Sequence, residues 1–344
     1  MVAGTGGKRW LLFGGGTQPF TDATGAVLPN SVAEERWIEL GGLRQYVLIR
    51  GRDRAAPLLV NVHGGPGMSE RALYRYHNAA LEEHFTVAYW DQRGAGKSFD
   101  QGIDPATLTI DRMSQDLSEL IDTLRAAFGQ EQVLLLAHSW GTVLALDHLA
   151  RRPETVAGYI GIGQVTNKPA SEAEGYGWLL GEAEARGEAK AVAALRALGP
   201  PPWSADQMIE ERKWLRKLGG FSAKPSSPLG YLREVLSTPE TGWTDIVPMM
   251  RAMRWSIRHI WGESQDYNAF DRHKALDVPV FLMLGRHDHV VSPTLAEAWL
   301  AALDAPLKEA IWCETAGHMV PAEAPETFNR DVVRIAQEVG LVTG

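Results

Sequence analysis

Cysteine is almost absent from this chain of 344 residues, because Cys313 is the single one. One cysteine cannot form an intramolecular disulfide and cannot supply a thiolate cluster to a metal ion. Long apolar runs are also missing near the N-terminus, where the longest is Trp10–Phe13. A secretory signal needs about 7–15 apolar residues and a membrane-spanning helix about 20. We therefore expect a cytoplasmic protein without a membrane partner.

The chain also lacks an excess of basic residues. It has 34 Lys and Arg against 42 Asp and Glu, a net charge of −8. Nucleic acids are bound by clustered Lys and Arg, so we expect no nucleic-acid partner. Hydrophobic residues make up 45% and charged residues 22% of the chain, which excludes a disordered protein. At roughly 150 residues per domain, the length allows about two domains.

What the sequence does contain is an alternation of short apolar runs and helical patterns. The predicted strands are Trp37–Leu40, Tyr46–Ile49, Leu58–Val62, Phe85–Trp90, Val133–Ala137, Val156–Ile162, Val278–Leu284 and Glu309–Trp312. Several are continuously apolar, as strands buried on both faces of a parallel sheet are. Helical patterns cover Asp111–Phe128, Thr142–Ala150 and Pro293–Leu303. The alternation predicts an α/β fold, with a mostly parallel central sheet and helices on both faces.

The alternation stops over residues 163–262, where only helical patterns occur. They are Glu172–Leu198, Ala205–Leu218, Leu229–Leu236 and Ile246–Trp261. We predict a helical cap inserted between two late strands of a core made of residues 36–162 and 263–344. Residues 1–35 show no clear periodicity and are predicted to form an N-terminal arm.

Six of the 12 tryptophans lie in this predicted cap. The simpler interpretation is that they pack a small core of the cap itself. The functional interpretation is that some line an apolar pocket over the sheet. The candidates for substrate contact are Trp178, Trp214, Trp255 and Trp261.

The strongest local signal is the segment Ala137-His138-Ser139-Trp140-Gly141. It follows an apolar run and precedes an apolar helical pattern. Small residues at positions 137 and 141 allow the sharp strand-to-helix turn called a nucleophile elbow, which exposes the serine hydroxyl. The turn also places Ser139 near a helix N-terminus, where backbone N–H groups favour developing negative charge.

A nucleophilic serine needs a base, and the base needs an orienting acid. In this architecture the chain order is Ser, then Asp or Glu, then His. Asp288 follows the predicted strand that ends at Leu284, and His318 follows the predicted strand Glu309–Trp312. His287 and His289 flank Asp288, but adjacent residues rarely point at one ion, so we predict no metal site.

The loop His63-Gly64-Gly65-Pro66-Gly67 follows the predicted strand Leu58–Val62. Glycines let the backbone approach a substrate carbonyl, and Pro66 restricts the turn. An oxyanion hole of this type uses the N–H after the nucleophile and one from such a loop. We therefore predict Trp140 and Gly65 as the two donors, although an ordinary Gly-Pro turn would give the same pattern.

Together these motifs resemble the α/β-hydrolase superfamily, and in particular its proline iminopeptidase branch, peptidase family S33. The matching blocks are HGGPG at 63–67, DQRGAGKS at 91–98, AHSWGTVLAL at 137–146, GRHD at 285–288 and AGH at 316–318. The resemblance implies Ser139 as nucleophile, Asp288 and His318 as its triad partners, and Gly65 and Trp140 as the oxyanion hole. It also implies that the insertion caps the active site, and it requires no cofactor.

The resemblance is weaker in the predicted cap. Members of this branch hold the substrate's N-terminal amine with cap glutamates in Trp-Glu and Glu-Asn settings, and neither dipeptide occurs between residues 163 and 262. The sequence still offers candidate glutamates, although surface solvation is the default for them. These are Glu210, Glu211, Glu234 and Glu263.

Three functions stay open at this point. The first is a serine hydrolase of an ester, lactone or amide bond in a small, largely apolar molecule. The second is a proline iminopeptidase that releases N-terminal proline from short peptides. The third is a non-catalytic ligand-binding relative, which the complete order of Ser139, Asp288 and His318 disfavours. The sequence does not determine the oligomeric state.

Overall fold

The described residues of the computed structural model, 14–100, 102–224 and 227–342, form a sheet of eight strands. The strands are β1 (Val32–Leu40), β2 (Leu43–Gly51), β3 (Leu58–Val62), β4 (Thr86–Trp90), β5 (Val133–His138), β6 (Val156–Ile162), β7 (Val280–Gly285) and β8 (Lys308–Cys313). Their order is β1-β2-β4-β3-β5-β6-β7-β8. The hairpin β1–β2 is antiparallel and β2 is antiparallel to β4, whereas the other neighbours are parallel.

Helices connect the parallel strands. They are α1 (Arg71–His77), α2 (Ile110–Phe128), α3 (Trp140–Arg151), α4 (Lys168–Ala185), α5 (Ala189–Leu198), α6 (Ala205–Leu218), α7 (Pro228–Val235), α8 (Trp243–Ser264), α9 (Ala269–Arg272), α10 (Pro293–Ala302), α11 (Val320–Glu323) and α12 (Pro325–Glu338). Helices α4 to α8 lie between β6 and β7, and we call Lys168–Ser264 the cap segment. In the described ranges, none of the helices combines the length and apolar character needed to cross a bilayer.

The central strands are apolar throughout because each face of the sheet carries its own core. On β5, Val133, Leu135 and Ala137 face a cluster that includes residues of α2, α3 and α10. The alternate residues Leu134 and Leu136 face a second cluster that includes residues of α12. A strand buried on both faces therefore has no polar alternation, and the predicted α/β fold with a helical cap between late strands is confirmed.

Several predicted boundaries differ from the structure, and two of the differences concern the helical pattern at 172–198 and the arm at 1–35. The helical pattern Glu172–Leu198 is two helices, because Gly187 adopts a left-handed conformation (φ 67°) between α4 and α5. The apolar pattern continues across this break, so periodicity alone did not reveal it. The predicted arm, residues 1–35, overlaps β1, which begins at Val32. Residues 1–13, including the run Trp10–Phe13, lie outside the described part of the chain.

The cap segment packs directly on loops of the core. Ser256 of α8 donates a hydrogen bond to the Gly94 carbonyl at 2.8 Å. A Cβ placed on Gly67 would lie 2.8 Å from the Ala252 carbonyl oxygen, so α8 leaves no room for a side chain there. The glycines of these loops therefore allow the cap segment to approach the carboxyl edge of the sheet.

Gly141 has a similar role on the other side of the nucleophile. It lies in the first turn of α3, where a Cβ would collide with the Val62 carbonyl oxygen and lie 2.7 Å from that of His63. Because both contacts are with backbone, they cannot be relieved by a side-chain rotation. Only glycine lets α3 start this close to the end of β3.

We predict that Gly141→Ala destabilises the protein by about 1–3 kcal/mol, since the added methyl overpacks a backbone contact. Urea unfolding measures the effect. Gly181→Ala is the matched control, because Gly181 lies inside α4 with open space around it. There alanine should stabilise the helix by about 0.5–1 kcal/mol. Equal stability of wild type and Gly141→Ala would contradict the predicted collision.

Candidate active site

Ser139 occupies the turn between β5 and α3. It has φ 50° and ψ −119°, and it is the one non-glycine residue with positive φ among the described residues. Such a conformation costs free energy and persists only where surrounding contacts enforce it. Here the Ser139 N–H donates to the Ile162 carbonyl at 2.8 Å, and the Ser139 carbonyl accepts from the Thr142 N–H at 2.9 Å. The turn is thus anchored to the adjacent strand and to its own helix.

Asp288 and His318 form a buried pair, each about 3% exposed. Asp288 lies just beyond β7, and its Oδ2 is 2.8 Å from Nδ1 of His318. Its other oxygen accepts the N–H groups of Val290 at 2.8 Å and Val291 at 3.0 Å. These bonds hold the carboxylate in place, so the imidazole is oriented with Nε2 free to act toward a nucleophile.

The predicted nucleophile and the predicted base both lie next to the end of β6, at Ile162 and Gly163. Ser139 bonds to the Ile162 carbonyl, and a Cβ on the next residue, Gly163, would lie 2.8 Å from Cε1 of His318. Among the described residues, no hydrogen bond joins the Ser139 hydroxyl to His318. Catalytic hydrogen bonds are often long before substrate binds, so the arrangement fits a Ser-His-Asp triad.

Two backbone N–H groups lie near Ser139. Trp140 is the first residue of α3, where N–H groups have no partner within the helix. Gly65 has φ 117°, and its N–H makes no hydrogen bond with the described residues. The neighbouring Gly64 lies close to the nucleophile, since a Cβ placed on it would be 3.1 Å from that of Ser139. Gly65 and Trp140 are therefore available as oxyanion donors.

A buried ion pair connects the loops around the nucleophile. The Glu70 carboxylate lies 2.7 Å from Nδ1 of His138 and accepts the Gly64 N–H at 3.1 Å. The other nitrogen of His138, Nε2, lies 2.9 Å from the carbonyl oxygen of His318. Both ring nitrogens thus face acceptors, which is the arrangement that a protonated imidazole satisfies.

Electrostatics favour the charged form of this pair. Burial by itself would lower the pKa of His138, but the Glu70 carboxylate and the His318 carbonyl raise it above its ordinary value. Burial would likewise raise the pKa of Glu70, but His138 and the Gly64 N–H lower it. His138 and Glu70 therefore form a salt bridge that touches the oxyanion loop, the nucleophile's own strand and the His318 loop.

The remaining residues of the loop 63–67 are held by the core. Nδ1 of His63 lies 2.7 Å from the Gly64 carbonyl, and its Nε2 accepts the Gln92 N–H at 3.2 Å. Burial lowers the pKa of His63, which favours the neutral ring that this acceptor role requires. Pro66 and Gly67 complete the turn, with Gly67 against α8. His63 therefore holds the loop in place. Both of its ring nitrogens already have partners, so it is not available for proton transfer.

The four candidate tryptophans occupy different environments. Trp178 stacks on His289 at 3.7 Å between ring centroids, beside the Asp288 loop. Trp214 donates to Glu210 at 3.1 Å. Trp255 packs on Phe99 at 5.6 Å. Trp261 is buried with Trp203 in a small core of the cap segment, as the simpler interpretation expected.

Three of the four candidate glutamates are engaged away from the nucleophile. Glu210 binds Lys213 at 3.2 Å on the surface, and Glu234 lies 3.3 Å from His77. Glu263 accepts the Ile110 N–H at 3.1 Å, so its carboxylate caps α2.

Glu211 is different because it lies fully buried inside the cap segment. One of its oxygens contacts Arg212, and the other, Oε1, has no hydrogen-bond partner. Burial raises the pKa of this carboxyl, with Arg212 acting in the opposite direction.

Sequence reasoning did not identify Glu70, Gly163 or the contacts of His138. A glutamate shortly after HGGPG carries no signal of its own, because glutamates are mostly on the surface.

The histidines that flank Asp288 are not part of a metal cluster. In the described part of the chain, no group of three or more His, Cys, Asp or Glu is placed to hold an ion.

The fold and this site define a hydrolase, and comparison with known proteins identifies its family. The model of the α/β-hydrolase fold family matches residues 57–325, so the chain belongs to that family. It is 30% identical over 310 residues to "Probable aminopeptidase YbaC" of Bacillus subtilis (strain 168), covering 90% of this chain and 98% of that protein.

Two further proteins indicate the branch of this family to which the chain is similar. A proline iminopeptidase of Heyndrickxia coagulans is 32% identical over 144 residues, 42% of each chain. The crystal structure of a proline iminopeptidase-related protein from Thermus thermophilus is 25% identical, with a TM-score of 0.63, and covers 90% of this chain and 100% of its own. The chain is therefore a hydrolase of the proline iminopeptidase-like branch, as its motifs predicted.

We predict that Glu70→Gln lowers kcat with little change in KM, because the Gly64 and His318 loops lose their common charged anchor. Stability should also change with pH. The raised pKa of His138 gives the wild type a stabilisation that is complete below pH 6.5 and lost as pH rises through the folded pKa. The stability difference between wild type and variant should therefore shrink above pH 6.5. Steady-state kinetics and urea unfolding between pH 5.5 and about 9 test this.

Glu82→Gln is the matched control. Glu82 is also buried, but it pairs with Arg50 at 2.9 Å and Arg75 at 2.7 Å, away from the triad. Arginine stays charged between pH 5.5 and about 9, so the stability lost in Glu82→Gln should not become smaller above pH 6.5. The kcat of this variant should be retained. A Glu70→Gln enzyme with wild-type kcat would show that the pair has only a structural role.

We predict that Asp288→Asn lowers kcat by about 10³–10⁴-fold with little effect on folding, because the favoured tautomer of His318 changes. His289→Ala is the control, since that ring stacks on Trp178 outside the Asp288–His318 pair. Single-turnover kinetics and thermal unfolding compare the two variants. If His289→Ala were as damaging as Asp288→Asn, the assignment of the orienting acid would have to change.

Proposed function

We propose that this protein is a serine hydrolase that cleaves an ester, lactone or amide bond of a small, largely apolar molecule through an acyl-enzyme. The observation that carries the proposal is the buried Asp288–His318 hydrogen bond of 2.8 Å beside a serine held at positive φ. A conformation that costs free energy, maintained next to an oriented base, is expected where the hydroxyl has to be presented to a substrate.

In the proposed mechanism, His318 accepts the proton of Ser139 while the serine oxygen attacks the substrate carbonyl. The N–H groups of Gly65 and Trp140 stabilise the oxyanion of the tetrahedral intermediate, and each such donor is worth about 10²–10³-fold in rate. The intermediate collapses to an acyl-enzyme as His318 protonates the leaving group. His318 then takes a proton from water as that water attacks the acyl-enzyme ester, and it returns the proton to the Ser139 oxygen as the acid leaves, while Asp288 stabilises the imidazolium.

The charges inside the cap segment argue against a clamp for an ammonium group. The Glu172 carboxylate accepts two hydrogen bonds from Arg212, at 2.8 and 2.9 Å, and Glu211 contacts the same guanidinium. Lys168 also acts electrostatically on Glu172 and Arg212, although burial lowers its pKa to about 7. Two carboxylates thus contact one guanidinium. An added ammonium would have to compete with Arg212 for them, which supports substrates without a free amine.

A second candidate function is an aminopeptidase that releases an N-terminal residue such as proline. Oε1 of Glu211 favours it, because a buried carboxylate oxygen without a partner is an acceptor that a substrate amine could satisfy. The similarity to a probable aminopeptidase along almost the whole chain points the same way. In this alternative, Glu211 would be the residue that binds the amine.

The two candidates differ in their preferred substrates. We predict a higher kcat/KM for short-chain p-nitrophenyl esters than for proline p-nitroanilide, after correction for the intrinsic reactivity of each bond. The reason is that a desolvated amine would lack an unshared carboxylate partner. Labelling with a fluorophosphonate, followed by peptide mass spectrometry, serves as the control that Ser139 is the nucleophile in both cases.

A preference for proline p-nitroanilide that disappears in Glu211→Gln would establish the aminopeptidase instead. Glu210→Gln, on the exposed face of the same helix, should leave either activity unchanged. Labelling that survives Ser139→Ala would refute the serine mechanism altogether.

A further inference from the structure

Arg216 is a cation without an acidic partner among the described residues, and one aromatic ring separates it from His318. It lies near the end of α6, is exposed, and makes no salt bridge with the described residues. The residues outside the described ranges contain no Asp or Glu that could pair with it. The neighbouring Arg212, by contrast, is fully engaged by Glu172 and Glu211.

The position of Arg216 follows first from its contact with Phe221. The guanidinium carbon lies 4.8 Å from the centroid of the Phe221 ring. That ring in turn meets the His318 imidazole edge to face, with 5.3 Å between centroids. The backbone is fixed as well, since the His318 N–H donates to the Phe221 carbonyl at 2.9 Å. One aromatic ring therefore separates the Arg216 charge from the base.

Tyr231 is a second neighbour of Arg216. Burial raises the pKa of Tyr231 to about 12, and both Glu70 and Arg216 act electrostatically on its hydroxyl. Glu70 accepts the Gly64 N–H beside the nucleophile. The Tyr231 side chain also packs against the same apolar cluster as Met319, the residue after His318. Arg216 and Glu70 thus both lie near Tyr231, which packs beside the residue that follows His318.

The surroundings of Arg216 differ from those of an ordinary surface arginine. Protein atoms and the charge of Arg212 lower the pKa of Arg216, although its side chain keeps contact with solvent. The Arg216 guanidinium therefore lies against the Phe221 ring and is also reached by solvent. In such a place an anion is desolvated on binding, so a charge-assisted hydrogen bond to a planar guanidinium gains strength.

We infer that Arg216 binds a carboxylate carried by the substrate, at a distance from the bond that is cleaved. The inference rests on the proposed function of Ser139 and adds one anionic group to an otherwise apolar substrate. Phe221 and Tyr231 would contact the apolar part of the same molecule. The carboxylate could belong to the acyl part or to the leaving group, and the two sources can be distinguished with matched substrates.

The test uses two pairs of esters that differ only by one carboxylate. Mono-4-nitrophenyl adipate and 4-nitrophenyl hexanoate place the difference in the acyl part. 4-Carboxyphenyl hexanoate and phenyl hexanoate place it in the leaving group. For each pair, the ratio of kcat/KM for the charged over the uncharged ester is compared between wild type and variants, so that intrinsic reactivity cancels.

Arg216→Met should lower this ratio by about 10- to 100-fold for one of the two pairs, mainly through KM, as expected for the loss of a charge-assisted hydrogen bond. Arg216→Lys should give a ratio between those of wild type and Arg216→Met, because lysine keeps the charge and loses the bidentate geometry. Lys217→Met is the matched control: it removes one positive charge from the adjacent position, where Lys217 pairs with Glu188 at 3.1 Å. It should leave both ratios unchanged.

Unchanged ratios in Arg216→Met, or an equal fall in Lys217→Met, would overturn the inference. A second measurement covers an enzyme that is slow on all four esters. Free adipate should slow the fluorophosphonate labelling of Ser139 in wild type and much less in Arg216→Met, and the absence of this difference would also overturn it. Wild-type protein whose Ser139 is not labelled at all would instead refute the proposed function, and this inference with it.

Discussion

The salt bridge between Glu70 and His138 is the interaction on which the geometry of this site depends. It connects the Gly64 N–H, the last residue of β5 and the carbonyl of His318, which are far apart in the sequence. Two charges buried without partners would cost several kcal/mol each, so their pairing strongly favours one arrangement of the three segments. The conformation of Ser139, the start of the oxyanion loop and the location of the base are thereby coupled.

Charge is distributed in a different way in the cap segment. Inside it, the carboxylates of Glu172 and Glu211 both contact the Arg212 guanidinium over short distances. Near the end of α6, Arg216 is exposed and makes no salt bridge with the described residues. Within α6, an arginine bound by carboxylates and an arginine without one thus lie one helical turn apart, and under our proposals only the second meets a substrate anion. Under the same proposals, the core sets which bond is cleaved and the cap segment sets which substrate enters.

Much of the fold could be predicted because it follows from periodicity. Strands such as β5 are uniformly apolar, since residues such as Leu134 and Leu135 face opposite cores. The helix break at Gly187 could not be predicted in the same way, because the apolar pattern passes through it and glycine is tolerated inside helices. Of the candidate site, Ser139, Asp288 and His318 were predicted from their positions after strands, where the carboxyl ends of parallel strands meet.

The sequence by itself determined the order of strands and helices, the chemistry available at their ends, and the branch of hydrolases to which the chain belongs, since these depend on local pattern and short motifs. Only the tertiary structure decided that Glu70 pairs with His138, that Glu263 caps α2, and that Arg216 remains without a carboxylate. Each of these depends on which side chain, distant in the sequence, lies next to a given charged group in the folded chain. That pairing is set by the packing of the cap segment on the sheet, and no periodicity or spacing along the chain encodes it.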